Sequence, residues 1–164
     1  MEAELLEELY LKYYPGTLLY CTALCADVHL AQDLVADAFV KAYLTLPEDI
    51  PSFRYWLLRV CKNLWLDHLR REKHRSAEEL PETLTDGDTP EAAYIRSEEK
   101  RCLWNAIRSL SPADRELLTL YYFSGVPLQE AARLLGCSYP TARQRLHRLR
   151  QTLKQQLEEQ GYGR

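Results

Sequence analysis

The segment SAEELPETLTDGDTPEAAY, residues 76–94, most constrains what this chain can fold into. It combines two prolines and a glycine with six acidic residues, and no apolar period runs through it, which is typical of a linker. The sequence therefore predicts an N-terminal domain over residues 1–75, an acidic linker over 76–95 and a C-terminal domain over 96–164. Each domain is small for a separate hydrophobic core, so each is expected to be a compact helical bundle.

Apolar residues recur at i, i+3, i+4 and i+7 in the N-terminal domain, which is the spacing of amphipathic helices. Only six glycines occur and no Asn-Gly pair, so strands joined by tight hairpins are not indicated. We predict an all-α fold, with a four-helix bundle in this domain and Pro15 separating its first two helices. The predicted apolar faces are Leu5, Leu6, Leu9 and Tyr13; Leu18, Leu19, Thr22 and Ala26; Leu30, Leu34, Ala38 and Ala42; and Phe53, Leu57, Val60 and Leu64.

The C-terminal domain carries clear helix boundaries. A first helix is expected over about residues 92–110, and Ser111 followed by Pro112 marks the start of a second that runs to about Phe123. A short helix over Leu128 to Leu135 should end at Gly136, and Ser138 should cap the last helix. The predicted buried face of that last helix consists of Ala142, Leu146, Leu149, Leu153 and Leu157.

The net charge of −3 hides an alternation of charge along the chain. Residues 1–50 hold nine acids and two bases, 54–75 two acids and seven bases, 76–99 eight acids and one base, and 100–164 five acids and eleven bases. Two separate basic surfaces suggest contacts with a polyanion, of which nucleic acid is the first candidate. Five unevenly spaced cysteines, an acidic N-terminus unlike a signal peptide and the lack of a long apolar run indicate a cytoplasmic protein with no membrane span.

A short helix, a glycine turn and a capped basic helix together are typical of a helix-turn-helix, whose second helix enters the major groove of DNA. Arginine and glutamine can pair bidentately with base edges there. The alternative is an ordinary bundle helix with a solvated basic face. In FRYWLLRVCKNLWLDHLRREKHR, aromatic residues beside basic ones would suit unstacked bases, although Trp56 and Trp65 are better explained by core packing.

Three segments resemble motifs of the extracytoplasmic-function (ECF, group IV) sigma factors of bacterial RNA polymerase. They are AQDLVADAFVKAYL, FRYWLLRVCKNLWLDHLRR and LSPADRELLTLYYFSGVPLQEAARLLGCSYPTARQRLHRLRQTL, in the order that the family has them. The resemblance covers nearly the whole chain. It implies a sigma2-like domain that binds the polymerase and melts the −10 element, and a sigma4-like helix-turn-helix domain that reads the −35 element.

The resemblance also implies particular partners and residues. The partners are the β′ clamp helices and the β flap of core RNA polymerase, promoter DNA and an anti-sigma factor; no cofactor is implied. The loop from Leu46 to Ser52, with Asn63, matches the element that captures a flipped −10 base. The implied residues are Asp33, Leu34, Asp37 and Phe39 for polymerase binding; Phe53, Asn63, Arg70 and Arg71 for the −10 DNA; and Tyr139, Thr141, Arg143, Gln144, Arg145, His147 and Arg148 for the −35 DNA.

Three alternatives to these interpretations remain open to different degrees. A stand-alone helix-turn-helix repressor or activator would bind DNA without polymerase. An enzyme is disfavoured, because the sequence contains no nucleophile–base constellation and no glycine-rich phosphate loop. Cys21, Cys25 and His29 stand at i, i+4 and i+8 and could be zinc ligands, but two helical turns span too much length for one tetrahedral site, so core packing of the cysteines is favoured.

Overall fold

A computed structural model describes residues 2–45, 52–75 and 105–161 of the chain. The described residues form helices and the turns that join them, without any strand, and they divide into two compact units. This confirms the prediction of an all-α fold with two small helical domains. The predicted linker over residues 76–95 lies outside the described residues, so its boundaries stay a prediction.

The first unit consists of helices α1 (Ala3–Cys25), α2 (Val28–Thr45) and α3 (Phe53–Arg75), each of which packs against the other two. Asp27 starts α2, because its carboxylate Oδ1 accepts hydrogen bonds from the backbone N–H groups of His29 (3.0 Å) and Leu30 (3.2 Å). The buried core joins all three helices and consists of Cys21, Ala31, Leu34, Val35, Ala38, Phe39, Leu57, Val60 and Cys61.

The prediction that Pro15 separates two helices is wrong. Helix α1 continues through Pro15, so the described part of this unit has three helices rather than four. A proline inside a helix costs about 3 kcal/mol through one lost hydrogen bond and a steric clash. Residues on both sides of it, Leu6 before and Leu18 after, pack against the same core, and that shared burial keeps the helix continuous.

The predicted core packing of the cysteines is confirmed for Cys21, which is fully buried, while Cys25 is half-buried and its thiol donates to the carbonyl oxygen of Asp27 at 3.2 Å. The premise of a single helix face through His29 is wrong, because α1 ends at Cys25 and His29 belongs to α2. Within the described ranges, no group of three or more histidine, cysteine and acidic side chains is arranged to hold a metal ion.

Stability is expected to fall at alkaline pH because of Cys21. A hydrogen bond with the Cys61 thiol, and then burial, raise the pKa of Cys21 well above its usual value. The folded state therefore favours the protonated thiol. The contribution of Cys21 to the free energy of unfolding is complete below about pH 8.5, the usual pKa of a cysteine in the unfolded chain. Above that pH the unfolded state loses the proton first, so the free energy of unfolding falls by at most about 1.4 kcal/mol per pH unit. Urea unfolding between pH 7 and pH 9.5 should show a steeper loss for the wild type than for Cys21→Ala. An equal loss of stability in the two proteins over this pH range would contradict the role of Cys21.

The second unit contains α4 (Pro112–Leu118), a π-helical turn (Thr119–Phe123), α5 (Leu128–Leu135) and α6 (Tyr139–Glu159). The predicted caps are confirmed at Ser111, whose hydroxyl accepts from the backbone N–H of Asp114, and at Ser138, whose hydroxyl accepts from that of Thr141, both at 3.3 Å. Of the helix predicted over residues 92–110, residues 105–108 are helical and 92–104 lie outside the described ranges.

The two helices α5 and α6 pack through an apolar face. Gly136 ends α5 with φ 71°, a left-handed conformation that glycine adopts without strain. The predicted buried face of α6 is confirmed at Ala142, Leu146, Leu149 and Leu153, and Leu157 is half-buried.

None of the helices within the described ranges combines the length and the apolar character that a bilayer-spanning segment requires.

Candidate nucleic-acid interface

Helices α5 and α6, joined by the turn at Gly136, have the arrangement that the sequence predicts for a helix-turn-helix. The buried alanines Ala131 and Ala132 let α5 approach its neighbours closely. The burial of Ala142 and Leu146 fixes the rotation of α6, so the opposite side of that helix faces outward. An α-helix with its N-terminal end free and its outer face basic fits the major groove of duplex DNA.

The outer face of α6 carries most of the residues predicted for the −35 element. Arg143, Gln144, His147 and Arg148 are exposed, and so is Tyr139 at the N-terminal end. Thr141 is half-buried, and its hydroxyl lies 2.9 Å from that of Ser138, so both oxygens take part in the cap. Arg145 is also half-buried and lies at the flank of the face. The first four of these side chains are therefore the ones best placed to reach base edges.

Arg150 lies on α6 two turns after Arg143, and its side chain contacts residues of its own unit. Its Nε–H donates a short hydrogen bond to the hydroxyl of Tyr122, and its guanidinium carbon lies 5.6 Å from the ring centroids of both Tyr121 and Tyr122. The two tyrosines belong to the π-helical turn, and their rings meet edge to face at 5.0 Å. The basic sequence around Arg150 suggests a phosphate contact; its position gives it an intramolecular role as well, and cation–π contacts add to the hydrogen bond.

Arg150 and Tyr122 are expected to be energetically coupled. Tyr122→Phe removes the hydroxyl and Arg150→Gln removes the guanidinium, so a double-mutant cycle measured by urea unfolding should give a coupling energy of about 0.5–1 kcal/mol, discounted for solvent exposure. Arg148→Gln with Tyr122→Phe is the matched control and should be additive, since among the described residues no hydrogen bond, ion pair or ring contact joins Arg148 to Tyr122. Additivity in both cycles would remove the intramolecular role.

Helix α3 presents the second basic surface. Asn63, Arg70 and Arg71 are exposed, and Arg70 lies 3.4 Å from the carboxylate of Asp67, one turn before it. Phe53 is half-buried among other rings, at centroid distances of 5.5 Å from Tyr13 and 6.1 Å from Trp56. Its placement favours a packing role rather than the predicted direct contact with DNA. Of the loop predicted to capture a base, residues 46–51 lie outside the described ranges.

The core-packing interpretation of the two tryptophans is confirmed, because Trp56 and Trp65 are half-buried and pack against the core of the first unit. The stacking of Trp65 on the His68 ring, with centroids 5.7 Å apart, holds the indole along α3. The rings of Trp56 and Trp65 therefore stabilise the packing of α3, the helix that carries Asn63.

Helix α2 presents an acidic and apolar stripe. The predicted polymerase-binding residues Asp33 and Asp37 are exposed on it, whereas Leu34 and Phe39 are each only 5% exposed and lie inside the core. Their burial favours a packing role for Leu34 and Phe39 over direct contact with polymerase, because α2 needs those positions to bury its inner face. The exposed apolar residues that sequence reasoning missed are Val40 (56%), Tyr43 (49%) and Leu44 (70%).

The missed residues carried a readable signal. Positions 33, 37, 40 and 44 follow i, i+4, i+7 and i+11, so Asp33, Asp37, Val40 and Leu44 share one side of α2. We call these four residues the clamp stripe. An exposed apolar side chain such as Leu44 next to carboxylates is typical of a surface that docks on a partner. The four residues lie on the side of α2 away from its predicted apolar face, so the sequence pattern could have indicated the clamp stripe.

A helix-turn-helix unit, combined with a helical unit that has both a basic helix and an acidic docking stripe, defines a DNA-binding protein that also contacts another protein. Two family models match the chain, "Sigma-70 region 2" over residues 9–75 and "Sigma-70, region 4" over residues 100–153. The RNA polymerase sigma factor SigZ of Bacillus subtilis is 30% identical over 93% of the chain and 87% of its own length. The chain therefore belongs to the RNA polymerase sigma factors of the sigma-70 family, in the ECF group.

A further relative and a solved structure are similar to the chain. The ECF RNA polymerase sigma factor SigM of Bacillus subtilis is 28% identical over 91% of the chain and 93% of its own length. The fold is similar to that of the sigma factor RpoE of Bartonella quintana, solved in complex with the anti-sigma factor NepR, with a TM-score of 0.70, 24% identity and coverage of 93% of this chain and 96% of that one.

Proposed function

We propose that this chain binds core RNA polymerase and directs it to a particular set of promoters, as an alternative sigma factor. The observation that carries the proposal is the presence of two different surfaces in one chain that matches both sigma-70 regions: the clamp stripe on α2 and the basic outer face of α6. A stand-alone DNA-binding regulator would need the basic outer face of α6 but would not need the clamp stripe.

Each surface has a distinct role in this proposal. The clamp stripe docks on the β′ clamp helices, and the helix-turn-helix unit docks on the β flap while its exposed residues Arg143, Gln144, His147 and Arg148 read the −35 duplex. Asn63, Arg70 and Arg71 on α3 contact the melted −10 region. The acidic segment 76–95 enters channels of the polymerase that otherwise hold nucleic acid.

The proposal requires no catalytic residue in this chain. The chemistry of RNA synthesis belongs to the core polymerase, and the sigma factor contributes binding energy that opens the duplex. The protein acts in the cytoplasm, where polymerase and promoters meet. A relative of the same fold has been solved with an anti-sigma factor, which supports an anti-sigma factor as a further partner of this chain.

Run-off transcription tests the function. Core polymerase with the full chain should yield transcripts from promoters that share a −35 and a −10 sequence, and core polymerase alone should yield none from them. The free protein should bind the same duplexes weakly. Nanomolar binding of a specific duplex by the free protein, without transcripts when polymerase is added, would favour a stand-alone repressor or activator instead.

Asn63→Ala is expected to weaken promoter melting. The exposed Asn63 amide offers two donors and one acceptor to the edge of an unstacked base, and a hydrogen-bonded pocket offsets the few kcal/mol that unstacking costs. Polymerase binding and the closed complex should be unchanged, while permanganate footprints of open complexes should weaken. Asn105→Ala, a matched change at an exposed asparagine of the other unit, should leave a normal bubble. A normal bubble with Asn63→Ala would exclude Asn63 from the site.

A further inference from the structure

Three of the five cysteines meet where α1 packs against α3. Cys21 of α1 and Cys61 of α3 are fully buried in the same core, and their thiols are hydrogen-bonded to each other. Cys25 follows Cys21 by one helical turn and packs against that core. We call these three residues the thiol cluster. None of them belongs to the clamp stripe or to the basic surfaces, so the proposed function gives the cluster no role.

Cys21 and Cys61 are placed for a disulfide. Such a bond requires two Cβ atoms about 3.5–4.5 Å apart, with side chains directed toward each other. The helices α1 and α3 pack directly on each other, and the hydrogen bond between the two thiols places their side chains face to face. The two sulfurs can therefore approach to bonding distance with little movement of either helix.

Cys25 connects this buried pair to solvent. Cys21 and Cys61 have no exposed surface, whereas Cys25 is half-buried at the end of α1, where its thiol donates to the carbonyl oxygen of Asp27. Residues four apart in a helix have Cα atoms separated by about 6 Å, inside the range of about 4.4–6.8 Å that a disulfide spans. A small oxidant that reaches Cys25 can therefore act on Cys21 in turn.

We propose that the thiol cluster is a site of reversible oxidation by peroxides, in which Cys25 reacts first and the product is a disulfide between Cys21 and Cys61. In cytoplasmic proteins a disulfide is usually transient and redox-sensing rather than structural. A bond that closes a loop of about 40 residues restricts the unfolded chain, so the oxidised first unit resists unfolding better than the reduced one. Such a site is independent of the proposed function.

The reaction balances over three steps. The Cys25 thiolate attacks one oxygen of hydrogen peroxide, the O–O bond breaks, and Cys25 becomes a sulfenic acid, while the released hydroxide combines with the proton that Cys25 gave up. The Cys21 sulfur then displaces the hydroxyl group, which leaves as water with the Cys21 proton. In the last step the Cys61 sulfur attacks Cys21, and Cys25 leaves as a thiolate that takes up the Cys61 proton. Two thiols are oxidised, and one peroxide is reduced to two waters.

The surroundings of Cys21 keep the cluster reduced when little oxidant is present. The hydrogen bond with Cys61, and then burial, raise the pKa of Cys21, and negative charge on Cys61 or Cys25 would raise it further. The thiolate is the reacting form of a cysteine, so Cys21 reacts slowly near neutral pH. Oxidation of the buried pair therefore requires sustained exposure to peroxide.

Peptide mapping of the full chain tests the site. The protein would be exposed to hydrogen peroxide, its remaining thiols blocked with an alkylating reagent, and the product digested without reduction. Trypsin cuts after lysine and arginine, so the disulfide should join peptides 13–41 and 60–62, and dithiothreitol should separate them. A second cut by chymotrypsin after Leu24 separates Cys21 from Cys25 and assigns the bond to one of them.

Two variants and a control separate the route from the product. Cys25→Ala should slow formation of the bond roughly tenfold or more, because peroxide then reaches the buried sulfurs only through rare openings of the core. Cys61→Ala should stop at a disulfide between Cys21 and Cys25. Cys137→Ala changes a half-buried cysteine of the second unit and should leave the rate and the product unchanged. If circular dichroism shows that Cys61→Ala does not fold, Cys25→Ala still decides the matter.

Thermal unfolding measures the effect of the bond. Oxidation should raise the midpoint of unfolding of the first unit by about 10 °C, and dithiothreitol should reverse the rise. Cys61→Ala should show a much smaller rise, since a bond from Cys21 to Cys25 closes only one helical turn. Peptides 13–41 and 60–62 that stay separate while Cys25 is oxidised to the sulfinic acid would overturn the proposal. Equally fast formation of the bond in Cys25→Ala would overturn it as well. None of these measurements involves polymerase, so either result leaves the proposed function standing.

Discussion

Replacing Asp33 and Asp37 together by lysine is expected to abolish binding to core RNA polymerase while the helices remain folded. Both carboxylates are exposed one turn apart on α2, and neither takes part in the core, so the fold does not depend on them. The double change reverses the sign of the clamp stripe, and like charges set against a complementary surface cost several kcal/mol. The remaining apolar contact through Val40 and Leu44 cannot offset that cost.

A matched control separates a specific surface from net charge. Glu4 and Glu8 are also exposed acids one turn apart, on α1 of the same unit. Glu4→Lys with Glu8→Lys makes an identical change in charge and should leave a polymerase pull-down unchanged. If the Asp33 and Asp37 variant is retained by polymerase as well as this control is, the clamp stripe serves only solubility.

Arg143→Ala and Gln144→Ala are expected to change promoter choice rather than weaken DNA binding uniformly. Both side chains are exposed in the first two turns of α6, where a recognition helix meets base edges. Loss of one bidentate base contact costs about 1–3 kcal/mol, so holoenzyme affinity for a matched promoter should fall roughly 5- to 150-fold. On promoters altered at the contacted base pair, holoenzyme with the wild type should no longer bind more tightly than holoenzyme with the variant.

Gln151→Ala is the matched control for this series. Gln151 is exposed and lies seven residues after Gln144, on the same side of α6 but two turns further from the N-terminal end. It should have little effect on any promoter. Competition binding over a randomised −35 element measures all three variants together. Equal losses on every sequence for Arg143→Ala and Gln144→Ala would exclude them as base readers.

Local signals in the sequence were sufficient where the backbone decides the structure. The caps at Ser111 and Ser138 and the glycine end of α5 depend on neighbouring residues only, so they could be predicted at residue level. Pro15 shows the limit of local rules, because the helix through it is held by contacts with residues remote in sequence. Burial in a shared core overrode the local penalty.

The candidate sites were predictable in part. Motif position indicated α2 and α6 as candidate functional helices, and the apolar period placed Leu34 in the core. A motif match does not distinguish buried from exposed positions, so Leu34 and Phe39 were also assigned to polymerase binding and Leu44 was missed. The contact of Arg150 with Tyr122 joins residues 28 positions apart and depends on a π-helical turn. No short-range pattern encodes such a contact.

The π-helical turn at Thr119–Phe123 constrains chain length as well as composition. Its hydrogen bond from the N–H of Ser124 to the carbonyl of Thr119, at 2.9 Å, closes over five residues instead of the four of an α-helix. Deleting one residue there would restore a regular helix and rotate the residues after the deletion by about 100°. Tyr122 would then turn away from Arg150. Sequence comparisons across this family should therefore treat a gap within these five residues as a change in architecture, whatever the similarity on either side.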